Sequence, residues 1–272
     1  MGLVMRLPMA LSAALAALVL AAATLLGPAP AAVAAVAVVL VISWGWPRQM
    51  GAPARLSLSV TIASTGVLGV LLMLLWPAPS TGHGDAWALL EPLAVLLAWG
   101  TMAAFVVQLV RGTGRPLRLE STVATMGGVV IAVMSASWVA MARWSAVPEV
   151  RGLVLALAVT VAVVSLLGLT PWMQGRPGVL ALVVIPASAL AAWAAGALAG
   201  TAPRELAALT LSSLSAATLV ALTASTAPSS RPRPEDRPVA TTLRPRRAGY
   251  ALAMAPVGAA GVIGHVMVGL LA

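Results

Sequence analysis

The chain has no cysteine and no lysine among its 272 residues, and it has only two histidines and seven acidic residues. Without cysteine there can be no disulfide bond, thiol nucleophile, iron-sulfur cluster or thiolate zinc site. Without lysine there can be neither a Walker A phosphate loop nor a Schiff base. So few histidines and carboxylates leave little material for a metal site, which needs several ligands at once. The sequence therefore predicts no metal and no cofactor.

Charged residues of both signs are scarce. They make up 8% of the chain, hydrophobic residues make up 61%, and the mean hydropathy is +1.01. A soluble domain of this length needs more polar surface. We therefore predict an all-α, polytopic transmembrane helical bundle that forms one domain over residues 1–272.

Nine apolar segments are long enough, or nearly so, to cross a bilayer, which takes about 20 residues. The second is the shortest, and we expect it to tilt little or to end in the interface. Arg6 and the apolar run after it also fit a cleaved signal peptide, but we expect a retained helix. The predicted spans are Leu7–Gly27, Ala31–Trp46, Leu56–Trp76, Ala86–Val110, Ser121–Ala142, Gly152–Thr170, Val179–Gly200, Ala207–Thr226 and Tyr250–Ala272.

The arginines predict the orientation. With the amino terminus in the cytoplasm, thirteen of the sixteen arginines fall inside, and only Arg143, Arg151 and Arg204 fall outside. Basic residues beside membrane spans mark the cytoplasmic side, so we predict an N-in, C-out protein of the plasma membrane. We assign the net charge of +9 to topology and to contact with membrane lipids, and not to nucleic-acid binding. Residues 227–248 then form a polar cytoplasmic loop.

A basic turn precedes the fifth span and is a candidate site for lipid phosphate. Arg111, Arg115 and Arg118 lie close to Ser121, and arginines beside the amino end of a helix can hold a phosphate. Arg246 and Arg247, at the end of the late loop, extend the same hypothesis. The alternative is a basic turn that only sets topology, with Ser121 capping the helix.

Two polar residues are predicted inside the membrane. Glu91 lies about 7 Å inside the predicted fourth span at 1.5 Å per residue, and His265 reaches a comparable depth in the last span. Together with His83 and Asp85 they could form a proton or cation site in the outer half. The alternative is that Glu91 pairs with Arg143 and that His265 binds a helix carbonyl.

The order of these elements resembles the phosphatidate cytidylyltransferase (CDP-diglyceride synthetase) family of membrane enzymes. The resemblance covers most of the chain and includes a tight first hairpin, a basic turn that leads into ESTVATMGGVVIAVMSASWVAMAR at 120–143, and a late polar loop before RRAGYALAMAPVGAAGVIGHVMVGLL at 246–271. It implies a helical membrane fold and a phospholipid partner.

The catalytic signature of that family is missing from the late loop. Ser230-Arg231, Arg233, Glu235-Asp236 and Arg246-Arg247 match it in part, but there is no His-Gly-Gly and no counterpart of the metal-binding aspartates. A cytidine nucleotide with its magnesium would lack oxygen ligands here. We therefore expect a non-catalytic protein.

Two other classes of function remain open at this stage. A transporter or permease component would need a polar cavity lined by interrupted helices, such as the seventh span with Pro186. An accessory subunit of a larger membrane complex would need membrane-protein partners instead.

Overall fold

The computed structural model describes residues 2–52, 55–76, 91–112, 118–167, 177–200, 206–226 and 245–271. These residues form helices joined by turns, without a strand among them. The helices are α1 (Gly2–Leu26), α2 (Pro28–Gln49), α3 (Arg55–Leu75), α4 (Glu91–Val110), α5 (Arg118–Met134), α6 (Ser137–Ala142), α7 (Pro148–Leu167), α8 (Pro177–Ala199), α9 (Leu206–Thr226) and α10 (Pro245–Leu271).

Seven helical segments within the described residues are long and apolar enough to cross a membrane. They comprise α1, α2, α3, α4, α5 with α6, α7 and α10. The prediction of an all-helical, multi-pass membrane protein is therefore confirmed.

The expectation of a short second span is wrong. Helix α2 has 22 residues and begins at Pro28, directly after Gly27. Prolines are tolerated in the first helical turn, because the N–H that they lack has no partner there in any residue. Gly27 alone makes the hairpin, with a φ of 127° that side chains rarely allow.

The fifth span is built from two helices. A turn at Ser135 and Ala136 separates α5 from α6, and the Ala136 and Val139 amides bond carbonyls three residues back, as in a 3₁₀ turn. Beyond this turn, Trp138 is fully buried and donates from its indole Nε1 to the Val257 carbonyl of α10 at 2.9 Å.

Helix α10 packs alongside α5 and α6 through three glycines. Gly258 lies against Ser135, Gly261 against Trp138 and Gly264 against Met141. The numbers on both sides rise together, so the two segments run parallel. Small residues at this spacing let helix backbones approach closely.

The other close contacts show that spans consecutive in the chain alternate in direction. At one end of the bundle Met9 of α1 lies against Gly249 of α10, and Trp46 of α2 donates to the Ala124 carbonyl of α5. At the opposite end Arg143 reaches the carbonyl end of α3.

The remaining helices pack around the helices described so far. Helix α7 packs against α1, α8 and α9, and α9 also packs against α10. Helix α4 packs mainly on α3 and α5, so it is the span with the smallest buried share.

Candidate functional site

Most arginines of the described helix ends lie at one end of the bundle, which we call the arginine end. Helices α2 and α4 finish there, and α3, α5 and α10 begin there. The arginine end therefore carries Arg48, Arg55, Arg111, Arg118, Arg246 and Arg247. The opposite end carries Arg143 and Arg151.

A buried polar cluster connects α4 to α5 at the arginine end. The Gln108 side chain is 3% exposed and that of Ser121 is fully buried. The amide Nε2 of Gln108 donates to the Ser121 hydroxyl at 2.7 Å. Arg111 Nη1 donates to the amide oxygen of Gln108 at 2.9 Å and to the Ser121 hydroxyl at 3.5 Å. The cluster fixes one amino group of the Arg111 guanidinium.

The rest of that guanidinium keeps its donor capacity. Arginine has five N–H donors and no acceptor, and the bonds of Arg111 within the described residues all start from Nη1. Its Nε and Nη2 form the edge that makes paired bonds to a carboxylate or phosphate. The carbonyl end of α4 favours this cation, and the amino end of α5 favours an anion beside it.

Ser121 does not have the position that the sequence predicted for it in the basic turn. Ser121 lies inside α5, three residues after the helix begins at Arg118, so it does not cap the helix. Its burial gives it the role of holding Gln108 and Arg111. Arg115 lies outside the described residues, and of Arg118 only the backbone is described.

A second contact at the arginine end joins α2 to α10. The Arg247 guanidinium lies over the Trp44 ring, 4.4 Å from its centroid. The two helices approach closely, because a Cβ at Gly45 would meet the backbone carbonyl of Arg247. Arg246 belongs to the same helical turn, but its side chain is not described.

The two residues predicted to lie inside the membrane differ in their exposure. Glu91 is exposed at the first described residue of α4, and His265 is buried in α10. His83 and Asp85 lie outside the described residues. No group of three or more potential metal ligands occurs within the described ranges.

The suggested pairing of Glu91 with Arg143 is wrong. Arg143 donates from Nη1 to the Trp76 carbonyl at 2.6 Å and from Nη2 to the Leu74 carbonyl at 2.8 Å. These carbonyls end α3 and have no partner within the helix. Burial lowers the pKa of Arg143, and the side chain still stays charged at neutral pH.

Sequence reasoning missed Gln108 and the contact of Trp44 with Arg247. Gln108 stands three residues before Arg111, which places both on one helix face, and that spacing was a usable signal. The contact of Trp44 with Arg247 had no local signal, because the two residues lie on the second and the last helix.

Helix composition and the arginine end together define the class, a multi-pass helical membrane protein. Comparison of the chain with protein-family models, with curated proteins and with solved structures gave no match.

Proposed function

We propose that this protein crosses the plasma membrane nine times, N-in and C-out, and contacts anionic phospholipid through the arginine end. The lipid contact residues are Arg111, Arg115, Arg118, Arg246 and Arg247, with Ser121 in support. In keeping with its resemblance to the phosphatidate cytidylyltransferases, its partner is a phospholipid. The missing aspartates and His-Gly-Gly make it a non-catalytic protein.

The count of nine is supported by α8 and α9. They have 23 and 21 residues, enough to cross a hydrocarbon core of about 30 Å. Helix α8 is continuous through Pro186, so it does not supply the interrupted helix that a transporter would need.

The single observation that carries the lipid contact is the cluster of Gln108, Arg111 and Ser121. A loop that only sets topology needs positive charge and no defined geometry. Here two buried side chains hold one amino group of Arg111 while its other edge keeps its donors. A fixed guanidinium of this kind suits a phosphate.

The test replaces Arg111, Arg115 and Arg118 by Gln and measures the anionic phospholipid that co-purifies in mild detergent, by lipid mass spectrometry. Each basic residue near an anionic surface contributes ~1 kcal/mol. We therefore expect retention to fall by roughly tenfold or more.

Arg111→Gln is also tested alone, and Arg151→Gln is its matched control because it removes one arginine at the opposite end. The orientation of every variant has to be checked, since arginines also orient the chain. Unchanged retention in a correctly oriented triple variant would show that the turn is only a topological signal.

A further inference from the structure

We propose that Trp44 and Arg247 form a separate headgroup site that binds the phosphate diester of one anionic phospholipid. The proposal rests on the proposed function, and it adds an aromatic residue and a specific location. We call this pair of residues the Trp44 site.

The geometry leaves the donors of the Trp44 site available. The Arg247 Cζ lies over the Trp44 ring, and a guanidinium carries five N–H donors. Both side chains are exposed, Trp44 by 57%. Neither makes a hydrogen bond within the part of the chain that the structure describes.

The chemistry of the site selects an anion rich in acceptor oxygens. An indole N–H and a guanidinium only donate hydrogen bonds, so the site offers donors and positive charge but no acceptor. Arg48 follows Trp44 by one turn of α2, which places a second cation on the same helix face. A phosphate diester supplies the acceptors that such a surface lacks.

Position in the bundle points to a lipid as the source of that phosphate. Trp44 lies about 7 Å from the end of α2 at 1.5 Å per residue, and tryptophan prefers the headgroup level of a bilayer. Gly45 holds α10 close to α2 at this level, which keeps Arg247 over the ring.

The site is tested with the purified full chain in mild detergent, mixed with equal amounts of phosphatidylglycerol and phosphatidylcholine. Native mass spectrometry gives the ratio of the two bound lipids. Trp44→Leu removes the ring without changing the charge, and we expect it to lower the phosphatidylglycerol preference about two- to fivefold. Trp44→Phe should keep most of the preference, because it retains an aromatic face.

Two controls separate the site from general surface charge. Trp99 is a similarly exposed tryptophan, 59%, on α4 away from the arginine end, and Trp99→Leu should leave the preference unchanged. Arg247→Gln should have little further effect in the Trp44→Leu background, whereas Arg55→Gln should have the same effect in both backgrounds.

The outcomes distinguish this site from the cluster at Arg111. If the triple Gln variant loses lipid and Trp44→Leu does not, the proposed function stands and the Trp44 site is wrong. If Arg247→Gln lowers the phosphatidylglycerol preference equally with and without Trp44→Leu, as expected for Arg55→Gln, Arg247 acts only as surface charge. The Trp44 site is then also wrong. Displacement of the lipid by millimolar inorganic phosphate would show that the site binds a soluble ion, and it would contradict the proposal that its ligand is a lipid.

Discussion

At the residue scale, arginines serve different purposes at different places in this protein. Arg111 is held by a buried amide and a buried hydroxyl, and Arg247 lies over an indole ring. Arg143 bonds two carbonyls at the end of α3. The planar, five-donor guanidinium permits all three arrangements, which an ammonium group does not reproduce. This is consistent with a chain whose basic residues are all arginine.

Replacing Gln108 by Leu tests whether Arg111 needs to be held in place. The change leaves the net charge intact but removes the acceptor of Arg111 Nη1 and the donor to Ser121. A hydrogen bond contributes about 1 kcal/mol, so we expect anionic-lipid retention to fall by about two- to fivefold. Gln49→Leu, at the end of α2, is the matched control and should retain lipid normally. Equal retention in both variants would contradict the positioning role of Gln108.

Arg143→Gln should destabilise the protein. The variant loses charged donors to the Leu74 and Trp76 carbonyls, whose loss costs about 1–3 kcal/mol. Thermal unfolding in detergent should show a lower midpoint than for Arg151→Gln, which loses a bond to the single Ser145 carbonyl. Equal midpoints would show that the contact with α3 contributes nothing.

At the scale of helices, hydropathy predicts where the elements lie but not how each begins or bends. The apolar run 121–142 predicts one span, and the structure divides it at Ser135 and Ala136. Neither residue is a strong helix breaker, so the division had no local signal. The start of α2 was predicted too late, because Pro28 and Pro30 are typical of a turn. In the structure they occupy the first turn of the helix.

The close packing of α10 on α5 and α6 depends on glycines of α10 that lie against their side chains. A Cβ on Gly261 would lie 2.6 Å from Trp138 Cδ1, and Trp138 is fixed by its own bond to α10. Gly261→Ala should therefore lower the unfolding free energy by about 1–3 kcal/mol through overpacking.

Gly69→Ala is the matched control for Gly261→Ala. Its Cβ would meet Ala136 at an ordinary contact distance of 3.5 Å, so the change should be tolerated. Thermal unfolding of both variants in detergent gives the comparison. A stable Gly261→Ala variant would show that α10 and α6 do not pack as closely as described.

At the scale of the whole molecule, sequence predicted the fold class and the grouping of arginines, because apolar length and charge position are one-dimensional signals. It could not predict the partners of Arg111 and Arg247. Gln108 and Ser121 meet only when α4 and α5 pack antiparallel, and Trp44 meets Arg247 only when the second helix packs on the last. Such contacts depend on which helices become neighbours.

The proposed lipid contacts require the arginine end to face the cytoplasm, where the membrane surface is anionic. If it faced the other side, neither the Arg111 cluster nor the Trp44 site would meet the lipid that we propose.

The natural absence of cysteine allows this orientation to be measured directly, with one introduced thiol at a time. Met50 is exposed at the arginine end and Ala146 is exposed at the opposite end. In intact cells, a membrane-impermeant maleimide should label Ala146→Cys, and should label Met50→Cys only after the membrane is opened. Labelling of Met50→Cys from outside, with Ala146→Cys protected, would contradict the proposed orientation of the arginine end.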